Sequence, residues 1–202
     1  MNAAIILAGG RGTRLGDNNP PKALLVLSGK TLLDWQMEWL KDKFDVIVLA
    51  LGHRAQEVLD YLKNKDYNVK ISIEDSPLGT GGAVKKAFLS CCPDAEKVYV
   101  LNVDDFGTAD IAGALKMETP CIVAKPLPFS VLVGDKLYSQ NETLHHIGHT
   151  ILSKADVQKL PDVCSLEQWL KTQKISSFVY NGIWAPVNSI DQLRAAQQSW
   201  KQ

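Results

Sequence analysis

The sequence predicts an α/β protein built on a doubly wound, mostly parallel, Rossmann-like sheet. Three observations lead to this expectation: short apolar runs that suit buried strands, amphipathic segments between them that suit helices, and a glycine-rich loop directly after the first run. Alternating strands and helices join through right-handed crossovers, which place helices on both faces of one sheet. A chain of 202 residues is long enough to bury the core of one such domain.

Apolar runs in the first half of the chain are predicted to form the strands of this sheet. They cover residues 3–8, 45–51, 68–74 and 97–102. Short runs rich in Val, Ile and Leu are typical of parallel strands that are covered on both faces.

Helical patterns occupy the segments between these runs. Thr31 and Asp34 have the spacing of a capping box and predict a helix that continues to about residue 42. Apolar residues spaced at i, i+3, i+4 and i+7 indicate a second helix; they are Ala55, Val58, Leu59 and Leu62. Residues 82–90 are predicted to form a third helix.

The last third of the chain is less regular and is expected to add a lobe near residues 125–180. Predicted strands cover residues 119–125, 130–133 and 175–181. Ser165 and Ser189 each precede a glutamine by three residues, which predicts the start of a helix at both places. Because the sequence contains no repeat and no linker rich in Pro, Gly and Ser, one domain covering residues 1–202 is expected.

The balanced charge excludes some classes of function. The 22 Lys and Arg residues match 22 Asp and Glu residues, whereas a general nucleic-acid binder carries a basic excess to neutralise phosphates. The four cysteines form no CxxC pair, which argues against a zinc knuckle or a thioredoxin-type site. The N-terminus has no basic leader and no apolar run approaches roughly 18 residues, so we expect a cytoplasmic protein without a membrane partner.

The loop after the first predicted strand reads LAGGRGTRL over residues 7–15. Glycines let the backbone approach a ligand closely with its N–H groups, and the two arginines add donors that suit phosphate oxygens. In an open α/β sheet, ligands bind beyond the carboxyl ends of the strands, where this loop lies. The loop therefore predicts a cradle for nucleotide phosphates; the alternative is a glycine-rich turn without a ligand.

Two other phosphate-binding motifs do not fit this chain. The dinucleotide fingerprint GxGxxG would need a third glycine where Leu15 stands, and Pro20 and Pro21 continue the loop where a helix should begin. A P-loop would match at residues 29–31 but has Leu24 at its first glycine position. We therefore expect Gly29 and Lys30 to form a turn before the capped helix.

The glycine-rich loop, followed by PKAL at residues 21–24, resembles the signature of the sugar-1-phosphate nucleotidyltransferases (nucleotide-sugar pyrophosphorylases). The resemblance implies the nucleotide-diphospho-sugar transferase type of fold, with a nucleotide-binding half at 1–124 and a small sugar-phosphate-binding half with a closing helix at 125–202. It implies that Arg11 and Arg14 serve the leaving pyrophosphate and that Lys22 contacts the phosphates at the reacting centre. The implied contacts of the loop with the nucleotide are Leu7, Ala8, Gly9, Gly10, Arg11, Gly12 and Thr13.

A second match is EDSPLGTGGA at residues 74–83, where a glycine-rich turn follows a predicted strand. Such a turn allows the backbone to contact a flat base or a sugar. The segment resembles the ExxPLGTGGA segment of the family, most like that of the mannose- and manno-heptose-phosphate guanylyltransferases, which favours GTP and a manno-configured sugar. The implied nucleotide contacts are Glu74, Pro77, Gly79, Thr80 and Gly81; the alternative is a tight turn between strand and helix.

Asp104, at the end of the fourth predicted strand, matches the metal-binding aspartate in the NGD motif of the family. A carboxylate there faces the crevice where Mg²⁺ bridges phosphate oxygens. Asp105 is the second candidate, and a solvated loop acid or a helix cap is the alternative for either. Many relatives supply a second metal-binding aspartate, but here Pro186 stands at that position. The segment resembles instead the GVNN segment of the N-acetylglucosamine-1-phosphate uridylyltransferases, which implies that Asn188 is the second metal ligand.

The matches weaken in the sugar-binding half. Lys125 resembles the lysine of the EKP segment in the family, and an exposed strand end is the alternative. Gly148 lies in a segment that resembles the NAGIYLLS-type strand, and Glu167 in one that resembles the SLE segment. The glycine and glutamate of those family segments contact the sugar. Together with Asp105, these residues are the implied sugar-phosphate contacts.

Three nearby histidines suggest a zinc site as an alternative role for this region. A strand would place His145 and His149 on one face and His146 on the other. Because no fourth ligand is close in sequence, a substrate contact from His149 is preferred to zinc.

The resemblance implies Mg²⁺-dependent transfer of a nucleotidyl group from an NTP to a sugar 1-phosphate, which yields an NDP-sugar and pyrophosphate. Arg14, Lys22 and Asp104 are the implied catalytic residues. The short chain is also similar to nucleotidyltransferases that act on non-sugar phosphates such as phosphocholine. Pro186 and Val103 motivate a third hypothesis, a non-catalytic nucleotide-sugar sensor. Members of the family often form homodimers, although no part of the sequence identifies an interface.

Overall fold

The computed structural model describes residues 1–12, 19–133, 136–182, 184–187, 189 and 191–194, and over residues 127–143 it describes the backbone alone. The strands are β1 (Asn2–Leu7), β2 (Val26–Leu27), β3 (Lys30–Thr31), β4 (Val46–Leu51), β5 (Lys70–Ile73), β6 (Lys97–Asn102), β7 (Asp105–Gly107), β8 (Cys121–Val133), β9 (Lys136–Ser153), β10 (Ser176–Val179) and β11 (Trp184–Pro186). The helices are α1 (Leu32–Leu40), α2 (Ala55–Leu62), α3 (Gly79–Cys91), α4 (Ile111–Ala114), α5 (Lys154–Lys159) and α6 (Leu166–Leu170).

The largest sheet in the described part of the chain has seven strands in the order β10-β8-β9-β6-β1-β4-β5. The neighbours β6, β1, β4 and β5 are parallel, and the chain crosses between them through α1, α2 and α3. Strand β9 runs antiparallel between β6 and β8, and β10 is parallel to β8. The predicted doubly wound, mostly parallel sheet is therefore confirmed.

Alternate residues of the central strands pack into two apolar cores, one on each face of the sheet. Ala4 and Ile6 of β1 face a core that includes residues of α1, α2 and α4. Ala3 and Ile5 face a second core that includes residues of α3, α5 and α6. Because successive side chains of a strand point to opposite faces, a strand covered on both sides has a continuous apolar sequence.

Helix α1 begins with the predicted capping box. The Thr31 hydroxyl accepts a hydrogen bond from the Asp34 N–H at 3.1 Å, and the Asp34 carboxylate accepts one from the Thr31 N–H. Burial by itself would raise the pKa of Asp34, but hydrogen bonds from Tyr61, Tyr67, Lys65 and Thr31 together lower that pKa to about 2. The cap therefore also ties the start of α1 to α2 and to the segment after it.

Two helix boundaries differ from the predictions. Helix α1 ends at Leu40 rather than near residue 42, where Asp42 has a left-handed φ of 60° that an α-helix cannot contain. Helix α3 begins at Gly79 rather than at residue 82. Its first glycines pack against the backbone of residues 162–164, and this tertiary contact offsets their low helix propensity.

The prediction of separate strands at 119–125 and 130–133 is wrong, because β8 is continuous. It pairs with β9 along its whole length, with a shift in register between Leu127 and Phe129. The shift surrounds Pro128, which has no N–H to donate to the ladder, so a local irregularity allows pairing to resume.

The predicted helix starts in the last third are confirmed where the structure describes them. The Ser165 side chain accepts a hydrogen bond from the Gln168 N–H and caps α6. The Ser189 hydroxyl accepts one from the Gln192 N–H, and residues 191–194 are helical. The remainder of that predicted helix lies outside the described residues. None of the helices described here is both long and apolar enough to cross a membrane.

Candidate active site

A cleft of about 650 Å³ lies at the carboxyl ends of β1, β4, β5 and β6. Each of these parallel strands is followed by a loop that contributes to the wall of the cleft. The carboxyl ends of parallel strands meet at one edge of the sheet, so residues far apart in sequence converge there. This is the location predicted for the phosphate-binding loop.

Most of the predicted nucleotide contacts line this cleft, together with the predicted catalytic residues Lys22 and Asp104 and the predicted sugar-phosphate contact Asp105. They are Leu7, Ala8, Gly9, Gly10, Arg11, Gly12, Lys22, Glu74, Pro77, Gly79, Thr80, Asp104 and Asp105. Thr13, Arg14 and Asn188 lie outside the described residues. The structure adds Gly52 and His53 to the wall, two residues that the sequence analysis missed because no recognisable motif surrounds them.

Close packing between two loops fixes the position of Gly9. A Cβ atom at Gly9 would lie 2.9 Å from the backbone nitrogen of Gly52. The carbonyl of Gly9 accepts a hydrogen bond from the His53 N–H at 3.0 Å. By contrast, a Cβ atom at Gly10 would meet no described atom within 4 Å. Gly9 is therefore required by packing, whereas the absence of a side chain at Gly10 leaves backbone open to the cleft.

Glu74 shapes the loop that follows β5. Its Oε2 accepts a hydrogen bond from the Leu78 N–H at 2.8 Å, and its own N–H donates to the carbonyl of Leu51. Its Oε1 lies 3.1 Å from the position that a Cβ atom would take at Gly9. Glu74 thus connects the two glycine-rich loops; its contact with a nucleotide stays a prediction.

The glycines after β5 pack against a segment from the last third of the chain. Gly79 has a φ of +72°, and a Cβ atom there would lie 2.4 Å from the carbonyl oxygen of Cys164. The Gly81 N–H donates to the same oxygen at 2.9 Å, and the Thr80 hydroxyl accepts from the Leu166 N–H at 2.9 Å. Gly81 does not line the cleft, so its contact with a nucleotide stays a prediction. Its packing against Cys164 within α3 is a structural contact between two parts of the chain.

Lys22 and Asp104 form an ion pair in the cleft. Lys22 begins a short 3₁₀ turn, Lys22–Leu24, and its ammonium contacts Oδ2 of Asp104. The Asp104 residue is 7% exposed. Its backbone is held on both sides, because the Val103 N–H donates to Leu7 and the Val187 N–H donates to the carbonyl of Asp104. The pair therefore joins a cation suited to phosphate with a carboxylate suited to a divalent cation.

The neighbouring carboxylate of Asp105 points into a protein environment. It accepts hydrogen bonds from Asn102 Nδ2 at 2.8 Å and from Trp184 Nε1 at 3.3 Å. Burial raises the pKa of the Asp105 carboxyl to about 6, an effect to which the charge of Asp104 adds. A Cβ atom at Gly148 would lie 2.0 Å from Oδ2 of Asp105, and Gly148 has a φ of +78°. Gly148 is thus needed for the carboxylate to fit; its sugar contact stays a prediction.

The donors in the cleft fit a magnesium ion that arrives with a nucleotide. The described residues contain no group of three or more His, Cys, Asp and Glu side chains that could hold a metal by themselves. Mg²⁺ in nucleotide sites is usually held by one or two carboxylates together with substrate phosphates and waters. Asp104 supplies one such carboxylate beside an open stretch of loop backbone. The predicted second ligand, Asn188, lies outside the described residues.

Comparison with known proteins identifies the family. A model of the MobA-like NTP transferase domain matches residues 4–117, which is more than half of the chain. The chain belongs to the MobA-like NTP transferase family. The matched region contains the loops after β1, β4, β5 and β6 that form the cleft.

Relatives of this MobA-like NTP transferase include named guanylyltransferases. It is 37% identical over 114 residues to D-glycero-α-D-manno-heptose 1-phosphate guanylyltransferase of Campylobacter jejuni, covering 54% of the chain and 50% of that protein. It is 34% identical over 157 residues to mannose-1-phosphate guanyltransferase of Schizosaccharomyces pombe, covering 70% of the chain and 42% of that protein. The chain thus spans about half the length of these curated relatives. The crystal structure of HddC from Yersinia pseudotuberculosis complexed with GMP-PN superposes with a TM-score of 0.81 at 27% identity and covers 100% of both chains.

Within the described part of the MobA-like NTP transferase, the histidines of β9 belong to no group of three or more His, Cys, Asp and Glu side chains that could hold a metal. His146 Nε2 lies 3.0 Å from the carbonyl of His149, and His149 is 0% exposed with both ring nitrogens bonded inside the core. Burial lowers the pKa of His149 to about 4, so the ring is neutral at pH 7. The expected substrate contact from His149 is not supported, because the ring does not reach the cleft.

Two predicted sugar-binding side chains lie away from the cleft walls. The Lys125 ammonium contacts the carbonyl of Gly182 and lies 5.7 Å from the ring centroid of Tyr180. Glu167, in the first turn of α6, is exposed and pairs with Lys171 at 2.7 Å. Neither side chain lines the described cleft, so both assignments stay predictions.

Proposed function

We propose that the protein transfers a guanylyl group from GTP to a manno-configured sugar 1-phosphate, with Mg²⁺ as its cofactor. One observation carries the proposal: the cleft brings the open backbone at Gly10 together with the Lys22–Asp104 ion pair. The relatives named as manno-heptose and mannose 1-phosphate guanylyltransferases, and the similar structure with bound GMP-PN, support the choice of base and sugar.

In this reaction an oxygen of the sugar phosphate attacks the α-phosphorus of GTP in line with the leaving group. A new P–O bond forms while the bond to the bridging oxygen breaks, and the electron pair leaves with pyrophosphate. The sugar phosphate is already an anion, so no general base is required. Positioning and charge neutralisation are the main demands on the protein. Bound Mg²⁺ would supply part of that neutralisation at the phosphate oxygens.

The side chains in the cleft can meet these demands. We expect the Lys22 ammonium to donate to phosphate oxygens and the Asp104 carboxylate to hold the cation. Arg11 lines the same cleft and is a suitable donor for the leaving pyrophosphate. Arg14 and Asn188 retain the roles implied by the family resemblance. Positive groups thus face the phosphates while the acid faces the metal.

A second candidate keeps the reaction and changes the acceptor. Over 75 residues the chain is 44% identical to choline-phosphate cytidylyltransferase of Streptococcus pneumoniae, which covers 36% of the chain and 32% of that protein. This short match supports a nucleotidyltransferase that accepts a non-sugar phosphate such as phosphocholine.

A turnover panel separates these candidates. Pyrophosphate release is measured with Mg²⁺ for each of GTP, ATP, CTP and UTP, combined with hexose 1-phosphates, heptose 1-phosphates and phosphocholine. We expect the highest rate with GTP and a manno-configured sugar 1-phosphate. A preference for CTP and phosphocholine would favour the second candidate, and no release with any pair would leave a non-catalytic nucleotide-sugar sensor.

The Asp104→Ala variant tests the catalytic centre itself. We expect its rate of pyrophosphate release to fall by about 100-fold or more, because the cation loses its carboxylate. Asp110→Asn is a matched control, since Asp110 caps α4 outside the cleft and asparagine also serves as a cap. Full activity in Asp104→Ala would contradict the assignment.

A further inference from the structure

The turn that carries Asp104 is held from behind by donors on two other elements. Gln36 of α1 donates from Nε2 to the carbonyl of Asp105 at 3.1 Å, and it lies 3.5 Å from the carbonyl of Val103. His149 of β9 donates from Nε2 to the same Asp105 carbonyl at 3.2 Å. Gln36 is 2% exposed and His149 is 0% exposed. Two buried donors from a helix and a strand therefore converge on the carbonyl of Asp105, the residue that follows Asp104.

The histidine donor is fixed in orientation by its neighbours. A carbonyl can only accept, so the proton of the neutral ring lies on Nε2 and Nδ1 accepts from the Tyr99 hydroxyl at 2.9 Å. The ring also packs against Trp39 and Tyr99, with centroid distances of 5.5 and 5.6 Å. Helix α1 and strand β6 thus hold the His149 ring in one position. The fixed ring can therefore hold the backbone turn at residues 103–105 in place.

We propose that Gln36 and His149 are positioning residues for nucleotidyl transfer, which act on Asp104 through the shared Asp105 carbonyl. The proposal rests on the proposed function of the cleft. Neither side chain lines that cleft, so any effect on metal or phosphate passes through the backbone of residues 103–105. Groups that orient a metal-binding side chain commonly change metal affinity or activity by 10- to 100-fold when they are lost.

Metal binding provides a test that does not depend on turnover. The probe is Mn²⁺ added to the full chain in the presence of GTP, followed by electron paramagnetic resonance or calorimetry. We expect Gln36→Leu and His149→Phe, which remove the donors at similar volume, to weaken Mn²⁺ binding by about tenfold. His149→Gln keeps an N–H donor near the position of Nε2 and should restore most of the affinity.

Tyr67→Phe is the control for a general loss of stability. It removes the 2.7 Å hydrogen bond to Asp34 on the same helix as Gln36, without a contact to the turn. We expect Mn²⁺ affinity in this variant to equal that of the wild type. Where the acceptor assay gives turnover, kcat should fall about tenfold in Gln36→Leu while the KM for GTP changes less than about twofold.

Equal Mn²⁺ affinity in Gln36→Leu, His149→Phe and Tyr67→Phe would overturn the proposal. If His149→Phe does not fold, Gln36→Leu gives the same decision alone. Failure of the proposed function has a different signature, because the wild type would then release no pyrophosphate from any NTP while Mn²⁺ and GTP still bound. An absence of Mn²⁺ binding to the wild type with GTP would contradict the positioning role itself.

Discussion

The two glycine-rich loops at the edge of the sheet look alike in sequence but are required by different neighbours. In the loop after β1, a Cβ atom at Gly10 would meet no described atom within 4 Å. In the loop after β5, Cβ atoms at Gly79 and Gly82 would lie 2.4 and 2.3 Å from backbone oxygens of residues 162–164. At Gly10 the first loop leaves room for a ligand, whereas at Gly79 and Gly82 the second loop leaves room for another part of the chain. Richness in glycine alone does not distinguish the two.

Gly79→Ala is expected to give the largest effect on stability. The alanine would need a left-handed φ and would place its Cβ against a backbone oxygen that cannot rotate away. We expect a loss of about 3 kcal/mol in the free energy of unfolding, measured by urea denaturation. A loss below about 1 kcal/mol would show that the second loop is as open as the first.

Stability at low pH depends on Asp34, whose carboxylate is held by hydrogen bonds from four residues. The pKa of Asp34 is lowered from its ordinary value of 3.8 to about 2 in the folded protein, so the unfolded state binds more protons in this range. Stability from this group is fully present above the unfolded pKa and is lost as pH falls through the folded pKa. We expect Asp34→Asn to be less stable than the wild type by about 2 kcal/mol at pH 7. The two should converge near pH 2, and a constant difference across this range would contradict the assignment.

A double mutant measures the contact between the second loop and the last third of the chain. A Cβ atom at Gly81 would lie 2.3 Å from the Sγ of Cys164, while the nearest backbone atom is 3.2 Å away. Cys164→Ala removes this sulfur and should offset part of the destabilisation caused by Gly81→Ala. We expect a coupling energy of about 1 kcal/mol in a double-mutant cycle. Additive losses would mean that the sulfur is not the atom that excludes a side chain.

Gly10→Ala should have the smallest effect on folding and a clear effect on binding. Because the new methyl group meets no described atom, the free energy of unfolding should change by less than about 0.5 kcal/mol. The methyl group would occupy space beside the backbone N–H groups, so the KM for the NTP should rise about tenfold. An unchanged KM with unchanged stability would indicate that phosphates do not approach this part of the loop.

The sequence was sufficient for the central strands, the capping box at the start of α1 and the position of the Asp104 carboxylate in the cleft. These features depend on local patterns: the run in β1, the Thr31–Asp34 spacing, and Asp104 at the end of β6. It was not sufficient for Gly52, whose importance comes from packing against Gly9 across the space between two loops. Such a contact has no local spacing that a pattern could reveal.

The same limit applies to the residues behind the site. Gln36 falls within an ordinary helical pattern, and His149 suggested a ligand or a substrate contact until its position in the core was known. Both act on residues 44 or more positions away in sequence. The chemistry of a side chain can be read from its type, but the partner that uses this chemistry is set by the fold.

The segment at residues 162–166 ties the nucleotide-binding half of the chain to the last third. The carbonyl of Cys164 accepts from the N–H groups of both Gly81 and Gly82, and β9 fills the sheet position between β6 and β8. A fragment that stopped at residue 124 would therefore keep the cleft loops but leave the edge of β6 unpaired and the start of α3 uncovered. In the proposed reaction the two halves share substrates, and they also share a scaffold. If proteolysis or truncation of the gene separated them, the nucleotide-binding half would keep the cleft loops but lose the packing that shapes them.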